Sequence, residues 1–170
     1  VYVARHDWPS LVRIYQIRLE AADDHRLRLS LTKRIARLYE EQLEDLEGAF
    51  TWYARVFREE PGDRAIRDQL ARLAGILDGW SKLADVYEAY LSDEGIEGAV
   101  NTEVLRTVAG IYHTRLEDID RAKGAYERLL DISELLAPSR VEDPDHVGTV
   151  VHRHVRAMVD RRLEVRVDVS

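Results

Sequence analysis

The chain has 170 residues, a net charge of -7 and no cysteine; 45% of its residues are hydrophobic and 34% charged. That composition suits one domain with an adequate core, or a short array that spreads its core along its length. An acidic total argues against unspecific nucleic-acid binding, and the lack of thiols excludes disulfides, thiolate metal sites and cysteine nucleophiles while leaving the compartment open.

Seven helices are predicted ahead of Pro138. Asp7-Trp8-Pro9-Ser10 starts the first, with Asp7 as N-cap, and Leu11, Ile14, Tyr15 and Leu19 recur at helical spacing to about Glu20. The second carries Leu27, Leu31, Ile35, Leu38, Tyr39 and Leu43, and Glu44-Asp45 marks its turn. Ala49, Tyr53, Val56 and Phe57 define the third, which Glu60-Pro61-Gly62-Asp63 ends. The fourth shows Ile66, Leu70, Leu73, Ala74 and Leu77 and stops at Asp78-Gly79. The fifth runs from Trp80 to about Leu91, and Ser92 to Gly98 is expected as a loop. The sixth is expected from about Thr102, with Leu105, Val108, Ala109, Tyr112 and Leu116; the seventh carries Ile119, Ala122, Tyr126, Leu129 and Leu130.

The character changes after Pro138. Residues 138–170 read as a polar linker, a possible capping helix at about 147–163, and a frayed tail. No run approaches the ~18 apolar residues of a membrane span, and no signal peptide opens the chain. Because Val1 already lies inside a repeat unit, a piece of a longer protein is expected.

One pattern occurs twice, the stretch from Ile35 to Arg55 returning from Val108 to Arg128. Ala36/Ala109, Tyr39/Tyr112, Leu43/Leu116, Glu44/Glu117, Asp45/Asp118, Ala49/Ala122, Tyr53/Tyr126 and Arg55/Arg128 are identical pairs. A second echo, at nearly the same offset, matches Trp8, Leu11, Tyr15 and Leu19 with Trp80, Leu83, Tyr87 and Leu91. Such a period signals stacked helical units, none able to bury its apolar face alone.

These residues resemble tetratricopeptide (TPR) repeats, with some half-a-TPR (HAT) character. Ala36/Tyr39, Ala74/Leu77 and Ala109/Tyr112 fill the small-then-large positions of the family's helix A. Ala49/Tyr53 and Ala122/Tyr126 fill those of helix B, Leu83/Tyr87 match more loosely, and Pro61 sits at a unit's end. The likeness covers roughly positions 7 to 133. Equivalent positions Leu11, Ala49, Leu83 and Ala122 alternate between longer and shorter intervals, so the array is degenerate. The resemblance implies an all-α, right-handed superhelix: a solenoid of antiparallel helix pairs whose A helices line a concave groove.

Carried over position by position, the first complete unit contributes Ser30, Lys33, Arg37 and Glu40 to that groove. Asp68, Ala71, Gly75 and Asp78 follow from the second, and Glu103, Arg106, Gly110 and His113 from the third. Lys33, Arg37 and Arg106 suit acidic side chains of a ligand. The lining lacks the Lys, Arg and Asn cluster of a carboxylate clamp. His113 follows Tyr112 on its helix, and both a binding role and a plain exposed role stay open for it.

Little else points to chemistry. His152 and His154 are two apart, so a helix would point them to different faces, and Asp143-Pro144-Asp145-His146 reads as a capping stretch. No phosphate loop, nucleophile elbow or HExxH motif appears. The unmatched Trp52 is read as a packing residue, and Trp8 and Trp80 as packing between units. The expectation is a non-enzymatic scaffold without cofactor or metal, binding a protein or peptide and neither nucleic acid nor membrane. A self-association module dimerising through exposed repeat ends, or a HAT-like part of an RNA-processing assembly, is the alternative.

Overall fold

The computed structural model describes residues 7–94 and 98–136, and every regular element among them is a helix. In chain order these are α1 (Trp8–Glu20), α2 (His25–Glu41), α3 (Leu46–Glu59), α4 (Arg64–Leu77), α5 (Trp80–Glu94), α6 (Ala99–Thr114) and α7 (Ile119–Leu136). The chain forms two compact units, Val1–Ser133 and Glu134–Ser170; of the second, only Glu134–Leu136, the end of α7, are described. The linker, capping helix and tail expected from residue 138 on, with His146, His152 and His154, lie outside the described residues.

Aspartates start most of these helices. Asp7, Asp24, Asp45, Asp63 and Asp118 accept from the backbone N–H of Ser10, Leu27, Gly48, Ile66 and Arg121 at 2.8–3.4 Å. Each satisfies a donor that the first helical turn leaves without an intrahelical partner, an effect of about 1 kcal/mol. Fewer residues separate α5 from α6 than the sequence suggested. α5 continues through Ser92, whose Oγ donates back to Glu88 O at 2.9 Å, so this serine does not break the helix. Gly98, at φ 97, opens α6 ahead of the expected Thr102.

The repeated Leu-Glu-Asp triplet is one turn built twice. Glu44 (φ 55) and Glu117 (φ 53) both adopt the left-handed conformation, which ends one helix before the aspartate caps the next. Leu43 N–H donates to Leu38 O at 3.0 Å and Asp45 N–H to Tyr39 O at 2.9 Å. In the second copy Leu116 donates to Ile111 O at 3.1 Å and Asp118 to Tyr112 O at 2.9 Å. These bonds satisfy the carbonyls that α2 and α6 would otherwise leave open. The left-handed glutamates cost roughly 1 kcal/mol each, which the turn must offset.

Consecutive helices run antiparallel. The end of α2 meets the start of α3 where the Tyr39 ring crosses Gly48, with Trp52 stacked 6.3 Å from that ring half-way along α3, while His25 at the start of α2 lies 3.9 Å from Glu59 at the end of α3. Tyr90, late in α5, donates to Asn101, early in α6, and the Arg115 guanidinium just past α6 covers half-buried Trp80 at the start of α5, 4.6 Å from its ring centre. Alternate helices lie side by side in the same direction. Lys82 and Glu47, both early in α5 and α3, pair at 2.8 Å, and Phe57 packs on Tyr87 and Tyr90 with ring centres 4.9 and 5.0 Å apart.

Small and aromatic residues make these approaches possible. Ala36, Ala49, Ala74 and Ala109 are wholly buried, as are Phe57 and Leu83, and Tyr87 nearly so. Alanine at a crossing lets two helix backbones come close, and the rings fill the space that remains. Burial pushes the Tyr87 phenol up to about 12 and also raises those of Tyr53 and Tyr112.

One coupled pair of differences between the two copies bears directly on their packing. Trp52 is buried, as its packing role requires, with the Arg55 guanidinium 4.4 Å from its ring centre. Tyr39 crosses Gly48, where a Cβ would fall 2.4 Å from the ring. In the second copy Ala125 and Arg121 stand in place of Trp52 and Gly48, and Arg121 lies over the Tyr112 ring at 5.6 Å. Glycine in the first copy makes room for the ring, and arginine in the second covers it.

Gly48→Ala is therefore expected to destabilise the chain by about 1–3 kcal/mol, despite the better helix propensity of alanine. Gly124→Ala, where an added methyl meets nothing within 4 Å, is expected to stabilise it by up to about 1 kcal/mol. Urea unfolding of both variants checks the pair, and shifts of the same sign contradict it.

Candidate interaction face

The side chains that sequence reasoning assigned to a groove belong to α2, α4 and α6, and ion pairs tie these three helices together. Lys33 Nζ on α2 donates to Asp63 Oδ2, the N-cap of α4, at 2.9 Å and to Glu60 Oε2 at 2.6 Å. Glu40, near the end of α2, accepts from Arg72 on α4 and from the Tyr53 hydroxyl at 3.0 Å. Arg67 on α4 donates to Glu103 on α6 at 2.9 Å and to Pro61 O at 2.6 Å. The helices that the resemblance named as one lining are thus neighbours on one face.

The eight candidates divide by what their charges already do. Lys33, Glu40 and Glu103 are engaged in bonds between helices. Arg37 and Arg106 are exposed and make no hydrogen bond or ion pair among the described residues. Asp68 is exposed and pairs with Arg64 of its own helix, at 4.0 Å. Asp78 takes the left-handed conformation (φ 52) that closes α4, so its position belongs to a turn. His113 is half-buried with its ring edge-on to Tyr126 on α7, 6.4 Å away. Among the described residues, no hydrogen bond or ion pair ties Asp78 or His113 to the ion-paired centre of the face.

Sequence reasoning missed Arg67 and Arg72, the residues that make two of the bridges. The available signal was opposite charge at similar offsets, 32 positions from Glu40 to Arg72 and 36 from Arg67 to Glu103. It also missed Arg26, Leu29 and Arg34. Together with Ser30, Lys33, Arg37 and Glu60 they line a shallow depression of about 450 Å³. Arg34 lies over the Tyr15 ring of α1 at 5.6 Å, while Arg26 makes no hydrogen bond or ion pair among the described residues.

No group of three or more His, Cys, Asp or Glu among the described residues is placed to hold a metal ion. None of their helices is long and apolar enough to cross a membrane. No family model matches the sequence, and neither does any curated protein. Among solved structures, the fold is similar to the crystal structure of BtubC (BKLC) from P. vanneervenii, with a TM-score of 0.43 and 18% identity over 97% of this chain and 75% of that one. That likeness is too loose to assign a family.

The Lys33 cluster has a pH signature. The hydrogen bond from Lys33 holds the Asp63 carboxyl below its ordinary value, and the bonds to Glu60 and Asp63 raise the Lys33 ammonium. Asp63 therefore contributes stability above the unfolded carboxyl pKa, and this is lost as pH falls through the lower folded value. Lys33 contributes below its ordinary 10.5, and this is lost as pH rises through the folded value. The stability gap between wild type and Lys33→Met is expected to be largest between about pH 5 and pH 9 and to shrink below about pH 4. Thermal melts across that range check it, and a gap independent of pH contradicts it.

Proposed function

We propose that the chain is a TPR-like repeat module whose paired helices wind into a right-handed superhelix. On this reading, the face of α2, α4 and α6 receives a peptide or helix from a partner protein. The observation that carries the reading is the set of bridges from α2 to α4 and α4 to α6, beside which Arg37 and Arg106 are exposed and unpaired among the described residues. A face fixed by its own ion pairs is rigid, and unpaired cations on a rigid support lose little entropy on binding. Neighbouring helices that run antiparallel, with alternate ones side by side, are the arrangement in which stacked helix pairs generate an extended binding surface. No catalytic role is part of the proposal.

A second reading has one observation in its favour. Ile17 on α1 is 58% exposed, and Leu27 at the start of α2 is 40% exposed. Apolar residues at the first helices suit self-association through the end of the array. Sedimentation at several concentrations separates the two readings, because only the second requires mass to rise with concentration.

Affinity capture with the intact chain, followed by titration of the captured protein, tests the first reading. Arg37→Glu and Arg106→Glu are expected to weaken binding about tenfold or more without loss of helicity. Unchanged affinity in both variants moves the site off this face.

A further inference from the structure

The overall charge of -7 hides a sharp local reversal on α2. From His25 to Arg37 the helix carries Arg26, Arg28, Lys33, Arg34 and Arg37 and no acid. Arg26 and Arg28 sit in the first turn, at the positive end of the helix dipole, where anions are stabilising and cations are not. Lys33 and Arg37 are four apart, and Arg34 and Arg37 three apart, spacings at which like charges repel. Helix stability does not call for this pattern.

Some of that charge is already occupied. Lys33 is paired with Glu60 and Asp63, and Arg28 donates to the carbonyls of Leu19 and Ala22 at 3.3 and 3.4 Å. Arg34 lies over the Tyr15 ring with no carboxylate partner among the described residues. Arg26 and Arg37 make no hydrogen bond or ion pair there. Three guanidinium groups are thus left on the wall of one depression, with half-buried Leu29 among them.

We infer that this depression docks an acidic peptide segment, with Arg26, Arg34 and Arg37 pairing its carboxylates; the inference deepens the peptide-binding reading above and rests on it. From Arg26 to Arg37 the helix rises about 16 Å, at 1.5 Å per residue. An extended peptide covers that length in about five residues, so acids at alternate positions reach all three arginines. Arginine binds carboxylate through two parallel hydrogen bonds, which fixes the segment as well as attracting it. Leu29 offers an apolar surface to its side-chain methylenes.

Charge also argues against other polyanions. Glu60 lines the depression, Asp63 pairs with Lys33 on its wall, and the chain as a whole is acidic. A nucleic acid carries its charges well beyond these three arginines and is repelled by the surrounding acids. A shallow, open site leaves a small anion hydrated, so several linked carboxylates are needed to hold it.

Fluorescence anisotropy tests the inference on the full chain, using a labelled ten-residue peptide of alternating Glu and Ser. Matched peptides with Gln or Lys in place of Glu, inorganic phosphate and a single-stranded oligonucleotide serve as the other arms. The Glu peptide is expected to bind in a salt-sensitive way, the Gln peptide at least about tenfold more weakly, and the Lys peptide not at all. Arg26→Gln combined with Arg37→Gln, both at exposed positions, is expected to weaken the Glu peptide about tenfold, while Arg58→Gln on exposed α3 surface leaves it unchanged. Equal binding of the Glu and Gln peptides overturns the acidic preference but leaves the peptide-binding reading standing. Binding of none of the peptides overturns the inference, whereas the peptide-binding reading falls only if the captured protein is held equally by the Arg37→Glu and Arg106→Glu variants. Full competition by millimolar phosphate, tighter binding of the oligonucleotide, or an unaffected double variant overturns the assignment of this site.

Discussion

Phe57 shows the constraint on which the structure depends. It is wholly buried on α3, yet the rings that cover it, Tyr87 and Tyr90, come from α5. A hairpin of α2 and α3 alone would leave that ring in water, at a cost of about 1.5–3 kcal/mol for the side chain. The tilted and edge-on ring contacts contribute roughly 0.5–1.5 kcal/mol each beyond their area. Each helix pair is therefore stable only because the next one covers it, and the order of helices in space follows their order in sequence. The buried alanines serve the same end, since a larger side chain at Ala49 or Ala74 would hold the backbones apart.

This packing leaves α2, α4 and α6 to present a shared polar face. Arg72 and Arg67, one turn and a half apart on α4, reach in opposite directions, to Glu40 on α2 and Glu103 on α6. Partly exposed pairs of this kind each contribute about 1 kcal/mol or less to stability. Their greater effect is on shape, because they hold three helices in one register and decide which cations stay unpaired. The positive end of α2 is where the surplus collects. On the proposed reading, a basic hollow on an acidic chain discriminates by charge, attracting acidic segments there and repelling them elsewhere.

Much of the fold was legible in the sequence for physical reasons that particular residues make plain. Asp7 and Asp63 stand before apolar periodic stretches and both cap helices, and the recurrence of Leu-Glu-Asp marked a turn that is built twice with the same hydrogen bonds. The burial of Ala36, Ala49, Ala109 and Ala122 followed from their recurrence at equivalent positions. The start of α6 was harder, because Gly98 offers no side-chain cap, and Ser92 read as a loop residue although its hydroxyl bonds back into α5. The face was legible in its helices but not in its partners. Lys33, Glu40 and Glu103 were read as available to a ligand, although each is already bonded to a neighbouring helix. Which charges pair across helices depends on the stagger between units, and residue spacing within one helix carries no record of it. Arg26 and Arg34 escaped notice for the same reason, since the depression forms only where α2 passes Glu60.

Alternate helices that lie side by side and run in the same direction are the basis of the whole account, and chemical cross-linking tests that directly. The chain has no cysteine, so pairs introduced at chosen positions can be joined by a short bifunctional thiol reagent without interference. Intramolecular links are expected to form rapidly for Glu47→Cys with Lys82→Cys and for Arg67→Cys with Glu103→Cys. Glu47→Cys with Ser92→Cys, at the far end of α5 and about 15 Å further along the helix, is expected to remain unlinked. Linking of the far pair in preference to the near ones would contradict the account.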